Sequence, residues 1–307
     1  MEKSLDIISI GECLLELSTT EYFENTENFN LSFGGDVILA SSAAQKMGAN
    51  VGLLTSIGDD SFKNLLMNKL NEQGFDISRI KISNEKNGLY LAGHNDQKEL
   101  ITYRRRVAGS MLDVSEFDEE YIKSAKAIYT SGITQSLSIN SNALIKKIFE
   151  TAKENEILTA YDPNYTSSFM TVYDTKEYLE EIIGYIDILF LSLKNDIEHL
   201  YSLTSADKII NHFVECGIKT VVIKSHQENG YYVYYNGKTE FIPYYAPSYN
   251  VYIMGAGDVF NGGMLAGILK GLSPFEAAFN ASKQTAGFIQ NNGIIKNIPS
   301  FEEIMRI

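Results

Sequence analysis

The first apolar run, Asp6-Ile7-Ile8-Ser9-Ile10-Gly11-Glu12, predicts a buried strand ending in a glycine turn. Residues 18–30 are polar and read as exposed. Phe33-Gly34-Gly35-Asp36 then opens a helix over 37–47, closed by Gly48, and 51–57 reads as the next strand. An amphipathic helix follows over 61–74. Residues 88–104 alternate on both sides of Asn95-Asp96, the pattern of a hairpin. From Ala127 strand and helix patterns take turns: strands over 128–132, 158–162, 186–191 and 220–224, with a helix over 140–155. Another helix, after 191, carries Asn195 and Glu198, and a second hairpin starts at Gly230. A tyrosine-rich, strand-like run leads to Met254-Gly255-Ala256-Gly257-Asp258, and a helix runs from Val259 to about Leu269.

Alternating strands and helices imply an α/β fold with a mostly parallel central sheet covered on both faces. The hairpin over 88–104 interrupts that alternation and suggests a small β-sheet lid. No repeat, low-complexity segment or inter-domain linker is apparent, so the chain reads as one domain over 1–307. The lid comes from about 12–34 and 86–106.

Composition narrows the partners. The chain has 307 residues, 44% of them hydrophobic, enough for a large core. A net charge of -13 repels nucleic acid and anionic lipid, so neither is an expected partner. A nucleotide remains acceptable where the cleft is locally positive. Cys13 and Cys216 sit in unrelated contexts, and His94, His199, His212 and His226 have no zinc-ligand spacing. The histidines read as surface or locally hydrogen-bonded residues. With no signal-peptide pattern and no membrane-length apolar run, a cytoplasmic location is expected.

The candidate chemistry centres on Gly255-Ala256-Gly257-Asp258. Glycines at a strand-to-helix junction let backbone N–H groups converge at the positive end of a helix, which favours an anion. A carboxylate there can take a proton from a hydroxyl while the amides stabilise charge on a phosphoryl group. The alternative is a plain loop with an N-cap. The segment fits neither the Walker A pattern nor the dinucleotide fingerprint. Ligands of parallel sheets sit beyond the carboxyl ends of strands, and Asp162, Asn195, Lys224 and Asp258 all follow strand-like runs. Gly34 and Gly35 would let a sugar approach the backbone, with Asp36 accepting its hydroxyls; a turn with an N-cap Asp explains them equally. Tyr90, Tyr103 and Arg104 could face the ligand from the lid.

These residues resemble the PfkB, or ribokinase-like, carbohydrate kinases over nearly the whole chain. The resemblance rests on Gly34-Gly35-Asp36, Asp162-Pro163-Asn164, Lys224 after its strand, and Gly255-Ala256-Gly257-Asp258-Val259-Phe260-x-Gly262-Gly263. Gly11-Glu12, Tyr103-Arg104, Ala108-Gly109-Ser110-x-Leu112 and Ser131-Gly132-Ile133-Thr134 look like the 2-keto-3-deoxygluconate kinases within it. The resemblance implies a Rossmann-like fold, a lid that forms a homodimer interface, and phosphorylation of a sugar hydroxyl by ATP and Mg2+. It makes Asp258 the general base, with the amides of Gly255, Ala256 and Gly257 as an anion hole. Gly34, Gly35, Asp36, Tyr90, Arg104 and Asp162 would serve the sugar. Lys224, Gly230 and Ser282 would serve the nucleotide. Asn195 and Glu198 match an Asn-x-x-Glu motif whose glutamate organises magnesium, although Ser192 fits better by distance from the strand.

Several positions depart from the family pattern. Tyr252, Ile253 and Met254 stand where a carboxylate and threonines are usual, which puts monovalent-cation activation in question. Leu39 replaces an asparagine, Thr166 an arginine, Arg106-Val107 a Gly-Ser pair, and His226 a glycine. Loss of that arginine removes a bidentate donor for an acid substrate. The expected activity is therefore phosphorylation of a sugar or sugar acid, with 2-keto-3-deoxygluconate one candidate and a neutral sugar another. A non-catalytic sugar or nucleotide binder is the competing reading, against which the retained Asp258 argues. A nicotinamide oxidoreductase is excluded, because Gly11-Glu12-Cys13-Leu14 contains no glycine-rich phosphate turn.

Overall fold

The computed structural model describes residues 3–97, 99–203, 205–245 and 254–306. Its strands are β1 (Leu5–Ile10), β2 (Leu14–Thr19), β3 (Asn30–Gly34), β4 (Val51–Gly58), β5 (Asp76–Ser83), β6 (Leu89–Gly93) and β7 (Leu100–Tyr103). They continue as β8 (Ala125–Ser131), β9 (Leu158–Asp162), β10 (Ile188–Ser192), β11 (Thr220–Ser225), β12 (Gly230–Tyr235) and β13 (Lys238–Pro243). A nine-stranded sheet takes the order β5-β4-β1-β8-β9-β10-β11-β12-β13. It is parallel from β5 to β11 and ends in the antiparallel β12–β13 hairpin. A separate four-stranded sheet, β3-β2-β6-β7, holds the hairpin read over 88–104.

Successive strand side chains point to opposite faces, and here both faces are dry. Ile7 enters one hydrophobic cluster with the helices Asp36–Lys46, Ala256–Leu269 and Pro274–Gln290. Its neighbours Ile8 and Ile10 enter another with the helices Ile139–Glu154, Val172–Ile182 and Ala206–Glu215. This explains why the central strands read as continuous apolar runs. Two helices of the first layer touch closely: a Cβ on Gly262 would overlap the backbone carbonyl of Ala40.

Among the described residues, three long helices were not separable from the sequence pattern, namely Val172–Ile182, Ala206–Glu215 and Pro274–Gln290, and neither were shorter ones such as Glu119–Lys123 and Phe301–Met305. β5 was also missed; it is an edge strand with no regular alternation of buried and exposed positions. The polar stretch 18–30 starts and ends in β2 and β3, which pair with each other. Residues 193–198 form a turn wound as a π-helix rather than an α-helix. His94 is buried, with Nε2 3.8 Å from Glu16, so it is not a surface residue. Both cysteines are free thiols. Among the described residues, no helix is long and apolar enough to cross a membrane.

Candidate active site

A cavity of about 540 Å3 lies at the carboxyl ends of β8, β9, β10 and β11. Leu14, Tyr90, Leu100 and Thr102 of the four-stranded sheet close it on one side. The helix Ala256–Leu269 starts at its centre. Gly255 has φ 83°, the left-handed region that disfavours a side chain, and a Cβ there would strike Leu39. The first amides of this helix have no intrahelical acceptors. Gly255, Ala256, Gly257 and Asp258 all line the cavity. Lys224 adds an ammonium, since its Nζ lies 3.6 Å from the place a Cβ on Gly257 would occupy.

Asp258 lies in the first turn of the helix. Burial pushes its carboxyl well above the ordinary carboxylate range; Asp36 adds to the effect and Lys224 opposes it. Asn164 bridges the two carboxylates, with Nδ2 3.4 Å from Asp36 Oδ2 and 3.4 Å from Asp258 Oδ1. Asn164 has φ 45°, a conformation asparagine tolerates better than most residues. Asp36 begins its own helix after Gly35, whose Cβ would lie 2.6 Å from the Glu12 carbonyl.

Beneath this centre lies a bonded network. Asp162 Oδ2 accepts from Lys224 Nζ and, at 2.6 Å, from Asn261 Nδ2, while Oδ1 accepts from the Asn164 N–H at 2.9 Å. Burial works against the charge on Lys224, but Asp162, Asp196 and Asp258 together hold its pKa above the ordinary lysine value. Asp196 accepts from the backbone N–H of Tyr165 at 2.8 Å and of Ser192 at 2.5 Å. It thereby ties the loop after β9 to the end of β10. Burial first, and then Asp162, raises its carboxyl to about 7.

The cavity has two unlike ends. Toward the four-stranded sheet, Tyr90 donates to Glu16 at 2.5 Å, and Arg104 donates to Glu12 from Nε at 2.9 Å and from Nη2. The Arg104 guanidinium also lies 5.0 Å from the centre of the Phe169 ring. Toward the other end, His226, Tyr231, Tyr244 and Tyr245 make an aromatic wall. Tyr231 stacks on Phe260 at 3.7 Å, and Ser282 Oγ accepts from the Tyr245 N–H at 2.9 Å.

Of the residues singled out from sequence, Gly35, Asp36, Tyr90, Arg104, Asn195, Lys224, Gly255, Ala256, Gly257, Asp258 and Ser282 line this cavity. Asp162 sits behind it as the anchor of Lys224. Gly34 also stands back, leaving the room that the Tyr90 hydroxyl occupies. Gly230 does not line the cavity; it pairs with Ser225 and Pro243, packed under Phe241. Glu198 is not brought to the cavity either. It ends the π-wound turn, whose N-cap Ser192 and early member Asn195 line the cavity instead. Among the described residues, no group of three or more His, Cys, Asp or Glu side chains could hold a metal.

Leu39, Thr166, His226 and Met254 all line the cavity, whereas Tyr252 and Ile253 lie outside the described residues. Sequence reasoning missed the bridging role of Asn164, although the Asp-Pro-Asn motif contains it. It also missed Asp196 and Asn261, for which no local sequence signal exists: their partners are distant in the chain.

A family model described as "pfkB family carbohydrate kinase" matches residues 4–300. The 5-dehydro-2-deoxygluconokinase of Clostridium perfringens is 25% identical over 317 aligned residues, covering 99% of this chain and 92% of that protein. The 2-dehydro-3-deoxygluconokinase of Thermoproteus tenax is 27% identical, covering 99% and 95%. Among solved structures, an E. coli protein described as ribokinase II, in complex with ATP and Mg2+, superposes with a TM-score of 0.88 at 21% identity, covering 98% of each chain. The 2-dehydro-3-deoxygluconokinase of Thermotoga maritima superposes with a TM-score of 0.85 at 21% identity, covering 99% and 98%. With its mostly parallel sheet, its smaller second sheet and its Gly-Ala-Gly-Asp turn at the mouth of one cavity, this chain belongs to the pfkB family of carbohydrate kinases.

Proposed function

We propose that this chain transfers the γ-phosphoryl group of ATP to a hydroxyl of a sugar or sugar acid, with Asp258 as the general base. The observation that carries the reading is the juxtaposition of the half-buried Asp258 carboxylate, the Gly255–Gly257 amides and the Lys224 ammonium at one cavity. Asp258 accepts the proton of the attacking hydroxyl. Burial and the neighbouring Asp36 raise its affinity for a proton. Asp36 and Asn164 orient the acceptor beside it. The amides and Lys224 face the negative charge of the transferring group, and phosphoryl transfer asks for little more than such placement. The aromatic end suits a purine, whose flat face packs on rings.

Mg2+ would neutralise the phosphates of the bound nucleotide. The side chains fit an ion carried on those phosphates, because Asn195 offers an amide at the turn where a glutamate was expected. The decisive experiment is Asp258→Asn, followed by ADP release with a panel of sugars and sugar acids. Turnover should fall by about 100-fold or more with the melting temperature held. Equal activity of variant and parent would reject the base. Binding of a sugar by the parent without turnover would favour the non-catalytic reading.

The same proposal includes a homodimer through the four-stranded sheet. Leu31, Leu17, Leu91 and Ile101 form one cross-strand row on the face opposite Glu16, Tyr90 and Thr102. Leu31 and Ile101 are 46% and 43% exposed, which is costly for an isolated apolar face. Sedimentation that finds only monomer at micromolar concentration would remove this part.

A further inference from the structure

We infer that Asp196 is a positioning residue that sets the distance between the acceptor half of the cavity and its phosphoryl half. The inference rests on the kinase reading and concerns a side chain that lines neither half. Asp196 is 1% exposed and stands behind the cavity wall. Its two oxygens are used separately. Oδ1 accepts from the Tyr165 N–H at 2.8 Å, and Oδ2 accepts from the Ser192 N–H at 2.5 Å. These amides belong to the loop after β9 and to the end of β10. The loop also supplies Asn164, whose Nδ2 lies 3.4 Å from Asp36 Oδ2 and 3.4 Å from Asp258 Oδ1. Ser192 pairs in register with Lys224, the cation beside Gly257. One carboxylate therefore ties the neighbour of the bridging Asn164 to the strand position next to the phosphoryl cation.

The winding of the turn after β10 accounts for this placement. In a capping box the residue at N3 returns to the N–H of the N-cap. Here the N-cap is Ser192, and its hydroxyl accepts from the Asn195 N–H at 3.3 Å. The side chain that returns to the Ser192 N–H is that of Asp196, one position further on. The π-wound turn thus leaves the Asn195 side chain to the cavity and sends Asp196 behind it. A charge so deep is costly unless its bonds are made. Two backbone N–H groups from different elements need two acceptor oxygens, which is what a carboxylate presents. The loop is also held from the surface side. The Tyr165 ring lies 5.7 Å from the His199 ring, and His199 Nδ1 lies 2.9 Å from the Lys194 carbonyl oxygen. Loss of one Asp196 bond should therefore loosen the spacing without releasing the loop.

Asp196→Asn keeps the volume but turns one oxygen into an NH2 group that faces a backbone N–H. The test uses whichever sugar or sugar acid of the panel the parent phosphorylates fastest. The variant's kcat should fall about tenfold or more, since a misplacement of about 1 Å can cost about 100-fold. Calorimetry should find the Kd of ATP without sugar, and of the sugar without ATP, each within about threefold of the parent. The melting temperature should hold. An unchanged kcat overturns the inference. So does a loss that appears as weaker binding of one ligand alone, or one that comes with a lowered melting temperature. Should the variant fail to fold, hydrogen exchange on the parent decides. The Tyr165 amide should exchange about tenfold or more slowly than those of the exposed Ser167 and Ser168. Equal rates would mean that the tie is not made in solution, and would overturn the inference as well. A parent that turns over no sugar rejects the kinase reading and this inference together, whereas parent turnover matched by the variant rejects the inference alone.

Discussion

Two buried ion pairs flank the cavity, and they are built differently. In the pair of Lys224 with Asp162, both carboxylate oxygens are occupied: Asn261 and Lys224 share one, and the Asn164 N–H takes the other. In the pair of Arg104 with Glu12, both guanidinium bonds go to one oxygen, and Glu12 Oε1 has no donor among the described residues. A fully bonded network holds its members in one geometry, whereas a half-bonded one keeps capacity for something else. The first pair stands beside the phosphoryl-binding amides, where positions must not vary. The second stands at the acceptor end, where the ligand contributes the remaining bonds.

The comparison breaks most visibly at Lys224. Lys224→Met should cost about 3–5 kcal/mol in urea unfolding, because it leaves Asp162 buried without its cation. The double variant with Asp162→Asn should lose less than the two single losses summed. A Lys224→Met cost below about 1 kcal/mol would mean that the pair is not buried in solution.

Asp196 gives the intermediate effect, read as a pH slope. Its carboxyl moves from an ordinary 3.8 to about 7 in the fold, through burial and the neighbouring Asp162. The folded state therefore binds a proton more tightly than the unfolded chain across that window. By linkage, stability falls as pH rises from 3.8 to about 7. Asp196→Asn should flatten that part of the pH–stability curve by an amount on the order of a few kcal/mol. An unchanged slope would place the titration elsewhere.

The smallest effect belongs to Glu12. Glu12→Gln keeps the shape and one acceptor, and Arg104 can turn to water in the cavity. The expected loss is about 1 kcal/mol in unfolding, well below that of Lys224→Met. A loss equal to that of Lys224→Met would erase the distinction between the two pairs.

The alternation of apolar runs was enough to find the central strands, because strands dry on both faces leave a continuous signal, as in β1 and β4. The Gly-Ala-Gly-Asp turn was legible for a similar reason: only glycine meets the positive φ at Gly255 with Leu39 so close. Val172–Ile182 and Ala206–Glu215 were less visible, since each shows only a narrow buried stripe within a largely polar segment. At Glu198 the letters Asn-x-x-Glu matched, but the turn after β10 is wound wider than an α-helix, and Asn195 rather than Glu198 lines the cavity.

Local chemistry thus settled the βα framework, the hairpins and the position of Asp258, because each depends on neighbours within a few residues. Folding in three dimensions alone decided that Asn164 stands between Asp36 and Asp258, that Asp196 fastens one loop to another, and that Arg104 reaches the cavity already bound to Glu12. Charges in a low-dielectric interior act over distances that the order of residues does not encode, so their partners emerge only once the strands are side by side.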